Sequence, residues 1–280
     1  MIDAERAMAR IQAQHALGPR FAGSPGHRRA QELLASWLQG ADRAWEHSFS
    51  ESFFGETVTC RNLGGTFDGS RPGRILLGTH YDTRPWADRD PEEAQRKEPV
   101  PGANDGGSGV ALLAELACDL LERRERPTVD IVLFDAEDWH EIDGKEVSLG
   151  ARRFADHLDD LDESKQPDEV LILDMIAGRN LMLDVDVNCQ MHDASFTLTL
   201  QLFQLGHALG LPAFALDKDH PYKWIGCDHS PFVLKGIPSA ILIDIDYPPW
   251  HTVRDLPEEC DAESLRQIGA VVEAYIFREP

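Results

Sequence analysis

Side chains able to do chemistry collect at a few places along the chain. His80-Tyr81-Asp82 ends one apolar run, Asp135-Ala136-Glu137-Asp138 a second and Asp174 a third, while Tyr247-Pro-Pro-Trp250-His251 follows a fourth. A further acid, Asp105, lies in Gly102-Ala-Asn-Asp-Gly-Gly-Ser-Gly109, ahead of a helical stretch. Singly, each has an ordinary reading. His80 and His251 could be hydrogen-bonded core histidines, Asp82 and Asp105 turn formers, and Asp174 a strand-end cap. The adjacent pair Glu137 and Asp138 fits such a reading less well, because a strand leaving the core has little use for two neighbouring carboxylates. Carboxylates gathered on one edge of a sheet repel one another unless a cation lies among them. An imidazole-plus-carboxylate donor set suits zinc best.

Other chemistries fail on spacing. Gly106-Gly-Ser108-Gly-Val110 lacks the last glycine of G-x-S-x-G and has no strand directly ahead of it. The same loop lacks the Gly-Lys-Ser/Thr ending of a phosphate-binding loop, and no G-x-G-x-x-G follows a strand. Asp184-Val-Asp186-Val-Asn188 starts like a calcium loop but has Cys189 where glycine is required and Ser195 where the bidentate Glu belongs.

The elements that must position these groups follow from the apolar pattern. Short apolar runs at 75–80, 129–135, 170–174 and 239–244 read as buried strands. Helical stretches are expected at 3–16, 26–38, 108–122, 149–158, 196–209 and 262–277, with Ser24-Pro25 as cap and first turn of the second. Alternating Trp45, His47 and Phe49, followed by 57–63, read as a hairpin. Strands alternating with helices predict one α/β domain over 1–280, an α/β/α sandwich around a mixed, largely parallel sheet. In such a sheet, sites form beyond the carboxyl ends of the strands. The segment 85–101 is Pro-, Asp- and Glu-rich without periodicity and is expected to be a long surface loop.

Composition excludes several partners. With 27 basic against 49 acidic residues and a net charge of −22, the chain lacks the cationic surplus that nucleic acid or an anionic membrane surface requires. Its longest apolar run, Val110 to Ala114, is far short of the roughly 20 residues of a membrane span. Met1-Ile-Asp-Ala-Glu-Arg6 starts with charge and no apolar signal region follows, so the expectation is a cytoplasmic protein or a trimmed exported form. The five cysteines are widely spaced, with no C-x-x-C pair, which fits structural thiols in a reduced compartment.

As a set, these segments resemble the zinc aminopeptidase and glutaminyl cyclase superfamily, and within it the bacterial glutaminyl-peptide cyclotransferases similar to the animal enzymes. The resemblance runs from Gly18-Pro-Arg-Phe-Ala-Gly-Ser24 to the last helix. It is carried by Gly78-Thr-His-Tyr-Asp-Thr-Arg-Pro-Trp-Ala-Asp88, Gly102 to Gly109, Phe134-Asp-Ala-Glu-Asp138, Leu173-Asp-Met175, Asp228-His-Ser-Pro-Phe232 and Trp250-His-Thr252, in that order. It implies that Asp105, Asp138 and His251 hold one catalytic zinc, with a fourth position open. Glu137 falls at the general acid/base position, and Asp174 and Asp228 belong to the acidic network around it. Trp250 matches the aromatic residue lining the substrate pocket. His80 and Asp82 match a motif that supplies a second-metal ligand and its orienting carboxylate in two-zinc aminopeptidase relatives.

The resemblance therefore implies cyclisation of N-terminal glutamine on peptides or proteins, with loss of ammonia and one Zn2+. The alternative is an aminopeptidase using two zincs, with His80 and Asp174 joining a shared Asp105. A zinc-binding member without turnover is the third reading. Two departures from the family pattern motivate it. Cys227 stands where cyclases commonly have the first of two successive acids. The loop 139–149 also lacks a tryptophan just before Ser148-Leu-Gly150, a wall that Trp139 or Trp86 is expected to replace. Asp219-His220 and Lys223-Trp224 are expected to be surface loop.

Overall fold

Alternating apolar side chains build the first hairpin. In the computed structural model, which describes residues 2–219 and 221–279, β1 (Arg43–Phe53) pairs antiparallel with β2 (Glu56–Phe67). The turn residues Phe54 and Gly55 both have positive φ, 49° and 82°, which matches the twist of a two-residue hairpin. The remaining strands are β3 (Arg74–His80), β4 (Thr128–Phe134), β5 (Glu169–Asp174), the short β6 (Val185–Asp186) and β7 (Tyr222–Lys223), and β8 (Ser239–Ile243). Six of them form one sheet in the order β1-β2-β4-β3-β5-β8, and β6 and β7 pair separately. The β4–β3, β3–β5 and β5–β8 pairs are parallel, whereas β1–β2 and β2–β4 are antiparallel. The mixed, largely parallel sheet expected from sequence is thus present, and its inner strands match the predicted runs to within a residue.

The helices are α1 (Ala4–His15), α2 (Pro25–Leu38), α3 (Gly107–Glu122), α4 (Leu149–His157), α5 (Asp193–Ala208), α6 (Ser230–Leu234) and α7 (Ala262–Ile276). Alternation along the strands sends Ile75, Leu77, Leu171 and Leu173 to one face, where α1, α2, α3, α5 and α7 cover them. Leu76, Val170, Ile172 and Ile241 face the other side, under α4 and α6. Ser24 Oγ accepts the His27 N–H at the start of α2, with Pro25 in the first turn, as the sequence indicates. Helix α5 begins three residues before the expected Phe196; its extra turn is polar, with His192 Nδ1 2.8 Å from Ser195 Oγ, and carries no apolar periodicity to announce it.

Because β3, β4, β5 and β8 run the same way, His80, Asp135, Asp174 and Asp244 emerge at one edge of the sheet. Helix α3 starts there too, close against the strands: a Cβ on Gly109 would lie 2.2 Å from Thr79 Oγ1 and 2.6 Å from the Leu173 carbonyl oxygen. The 85–101 segment departs from a plain surface loop. Its first half packs inward, with the Arg89 N–H donating to the His251 carbonyl at 3.2 Å and Asp90 Oδ2 accepting the Val253 N–H at 3.1 Å. Among the described residues, no helix is long and apolar enough to cross a membrane.

Candidate active site

At the shared strand edge, five donor groups from five segments meet. His251 Nε2 lies 3.1 Å from Asp138 Oδ1 and 3.6 Å from Asp105 Oδ2. His80 Nε2 lies 3.1 Å from Asp105 Oδ1 and 3.4 Å from Asp174 Oδ1. Asp105 is therefore common to two donor sets, Asp105/Asp138/His251 and His80/Asp105/Asp174. Donors around a tetrahedral zinc, at about 2.0–2.1 Å each, stand roughly 3.3 Å apart, close to the separation of each histidine from its two carboxylates, and all donors of each set lie within 4.8 Å of one another. Asp105 Oδ2 and Asp138 Oδ2 are buried without a hydrogen-bond partner, which is costly unless a cation satisfies them.

Neighbouring groups hold these donors in place. Asp82 is fully buried; its Oδ1 accepts the Glu137 N–H at 2.9 Å and its Oδ2 the Asp138 N–H at 3.2 Å. The same carboxylate lies 3.4 Å from His80 Nδ1. Asp255 does the equivalent for the other loop, accepting the N–H groups of Asn104 and Asp105 at 2.9 and 3.0 Å and the Tyr247 hydroxyl at 3.0 Å. Arg84 Nη1 lies 3.3 Å from Asp138 Oδ1, and its other end grips Asp88. Ala136, Ser148, Met175 and His251 all have φ between 48° and 60°, so strained backbone is concentrated around the site.

These surroundings divide the acids by proton affinity. Burial pushes Glu137 well above the usual carboxylate range, and the charges of Asp228, Asp138 and Asp174 add to it against the opposing pull of His80. Burial also opposes ionisation of Asp138, but His251, Arg84 and His80 outweigh it and bring that carboxyl below its ordinary value. Asp228 is pushed up to about 8, by burial first and then by Asp174 and Asp82. Burial would lower His80, yet its hydrogen bonds to Asp105 and Asp174 raise it well above an ordinary histidine. Ser148 Oγ donates to Glu137 Oε1 at 3.1 Å, fixing that oxygen.

Residues 62–276 match the model of peptidase family M28. The chain belongs to peptidase family M28. Among curated relatives, this M28 chain is 23% identical to glutaminyl-peptide cyclotransferase of Bos taurus, over 92% of its own length and 78% of the relative's. Among solved structures it matches the glutaminyl cyclase of Tannerella forsythia, with a TM-score of 0.87 and 28% identity over 100% of both chains. A Zn-dependent exopeptidase from Parabacteroides distasonis matches at a TM-score of 0.88 and 27% identity, over 99% of each chain.

In this M28 chain Asp105, Glu137, Asp138, Asp174, Trp250 and His251 line one cavity of about 390 Å3. His80, Asp82 and Asp228 lie behind it, in contact with the lining or acting on it through charge. Trp139 is a correction: its side chain is fully buried, 4.2 Å from the Phe53 ring and 5.4 Å from Phe54, and takes no part in the cavity wall. It packs instead into the apolar cluster of the hairpin, with Phe53, Ala136 and Ile142. Trp86 likewise stacks on Phe54, under the Lys97 ammonium. A second correction concerns Lys223-Trp224: Trp224 belongs to the cavity lining, whereas Asp219 is exposed and His220 lies outside the described residues.

Cys227 acts as a hydrogen-bond donor, with Sγ 3.3 Å from Asp174 Oδ2. Burial and the nearby Asp174, Glu137 and Asp228 push its thiol well above the ordinary value, so it stays protonated. The supports Arg84 and Asp255 were not singled out from sequence. Their one visible signal is position, since each stands within four residues of a candidate ligand or its motif.

Proposed function

We propose that this chain is a zinc-dependent glutaminyl-peptide cyclotransferase, converting N-terminal glutamine of peptides or proteins to pyroglutamate with release of ammonia. The carrying observation is a buried carboxyl of high proton affinity, Glu137, placed in one cavity with the Asp105/Asp138/His251 donor set. The cyclase relatives on both sequence and structure support the same reading.

Zinc held by Asp105, Asp138 and His251 would supply Lewis-acid polarisation of the glutamine side-chain amide and leave a coordination position for it. The residues of the chain do the rest. Trp250 forms part of the wall beside His251, against which the glutamine methylenes pack. Glu137 takes a proton from the attacking α-amine as the new C–N bond closes the five-membered ring, and delivers it to the departing amide nitrogen as that C–N bond breaks. A group that must both accept and return one proton works best with a pKa near the operating pH, and the burial of Glu137 moves it in that direction. The ring closure is intramolecular, so holding the extended glutamine in a bent pose supplies much of the acceleration.

One zinc is part of the proposal. His80 Nε2 lies between Asp105 and Asp174, where its raised proton affinity lets it offset one of their two negative charges without a second ion, and the Cys227 thiol occupies the remaining Asp174 oxygen. The complete His80/Asp105/Asp174 set favours the alternative, a two-zinc aminopeptidase in which Glu137 takes a proton from water. Product analysis on an N-terminal glutaminyl peptide separates them. Ammonia without free amino acid, lost by about 10^2-fold or more in Glu137→Gln, supports the cyclase. Release of free glutamine supports the aminopeptidase, and neither product with zinc bound supports a member without turnover.

A further inference from the structure

The cavity continues past the reacting groups to a side chain that nothing else in the chain uses. Trp224 is 75% exposed, yet it forms part of the wall together with Ile225, Ile245 and Val147. A large indole left in water while facing a cavity is a contact surface without its partner. The segment carrying it is held rigidly. β7 pairs with β6, and the Val187 N–H donates to the Lys223 carbonyl at 2.8 Å. On the other side, the Ile225 N–H donates to Asp186 Oδ1 at 3.1 Å and Asn188 Nδ2 donates to the Ile225 carbonyl at 2.7 Å. Trp224 therefore stands between two fixed residues, with its backbone anchored and its ring free.

That anchoring also accounts for the third group of metal-type side chains, Asp186, Cys189 and His229. Asp186 Oδ2 accepts from His229 Nε2 at 2.7 Å and from the Cys189 thiol at 3.4 Å, while Oδ1 accepts the N–H groups of Ile225 and Asn188. Four donors satisfy the carboxylate, so the group serves as the post on which the Trp224 segment is hung.

We propose that Trp224 is the specificity-determining wall of a second subsite, which takes the side chain of the residue following the N-terminal glutamine and favours aromatic or large aliphatic ones. The inference rests on the cyclase reading. The apolar floor of Ile225, Ile245 and Val147 suits such a side chain. The other tryptophan of the cavity is held as well, because the Arg89 guanidinium lies 3.7 Å over the Trp250 ring. Trp224 thereby supplies, from the segment after β7, the aromatic surface that the 139–149 loop lacks.

The test is kcat/KM for ammonia release from H-Gln-Phe-NH2 and H-Gln-Gly-NH2, using the zinc-loaded full chain and its Trp224→Ala and Trp224→Phe variants. The wild type is expected to favour the phenylalanyl substrate by about tenfold, the value of one well-packed aromatic contact. Trp224→Ala is expected to bring the ratio near unity, mainly through KM, and Trp224→Phe to keep most of it. A ratio unchanged in Trp224→Ala, a parallel loss on both substrates, or a wild-type preference for the glycyl substrate would each overturn the subsite. Absence of ammonia from both substrates with the wild type is a different failure: it removes the cyclase reading, and the subsite falls with it.

Discussion

Replacing Asp82 with Asn tests whether the site is held by its second layer. The substitution preserves size and adds no group to the cavity wall, since Asp82 is buried behind the lining residues that it holds. An amide can offer only one oxygen where the carboxylate uses two, on the Glu137 and Asp138 N–H groups. One charge-assisted bond, about 1.5–3 kcal/mol, is lost, and a buried N–H left facing an NH2 adds about 1–3 kcal/mol. The sum is about 2.5–6 kcal/mol, or roughly 4–10 °C in Tm for a chain of this size at about 2.1 cal/mol/K of unfolding entropy per residue. The consequence for function is larger than for stability, because the two residues released from their clamp are the proposed base and a proposed zinc ligand. Loss of an outer partner of this kind typically weakens metal binding by about 10–100-fold. The assay is a competitive zinc titration against a chelating dye, with thermal unfolding of the metal-free protein alongside. Zinc affinity within about twofold of wild type would refute the claim that Asp82 positions Asp138.

Two further outcomes follow from buried pairs. Cys227→Ala leaves Asp174 Oδ2 without its donor and is expected to cost about 1–2 kcal/mol in chemical denaturation, while Cys227→Ser keeps most of the stability; equal losses would contradict a donor role for the thiol. For His27, burial alone would lower the pKa, but the charge and hydrogen bond of Asp135, 2.8 Å away, produce a net rise. A raised folded-state pKa means that this pair's contribution is fully present below about pH 6.5 and is lost as pH climbs through the folded value. The Tm gap between wild type and His27→Gln is therefore expected to shrink from pH 6 to pH 9, whereas a gap that stays constant or widens would contradict the linkage.

Much of the site was legible because parallel strands place their carboxyl ends together: once the runs ending at His80, Asp135 and Asp174 are read as neighbours in one sheet, their acids must converge. Direction of side chains was less legible. Asp135, in the same Asp-Ala-Glu-Asp run as the proposed base, points away from the cavity and accepts from Tyr81 and Arg61 while pairing with His27 of α2. Trp139 is two residues from Glu137 yet packs with Phe53 and Ile142 in the apolar cluster under the hairpin, a tertiary contact that local pattern does not announce. Trp224 and Asp255 reach the site only through long-range packing, which local pattern does not encode. The Asp184 segment, rejected as a calcium loop, is instead neutralised by Lys218, whose ammonium lies 2.8 Å from Asp184 Oδ1.

The most direct test is to add zinc stepwise to the metal-free protein and follow by mass spectrometry what becomes of an N-terminal glutaminyl peptide. One ion bound by Asp105, Asp138 and His251 predicts a pyroglutamyl product, lighter by one ammonia, whose rate rises linearly and levels at about one zinc per chain. A peptide shortened by its first residue, with activity still climbing to about two zincs per chain, would contradict the account and establish the aminopeptidase.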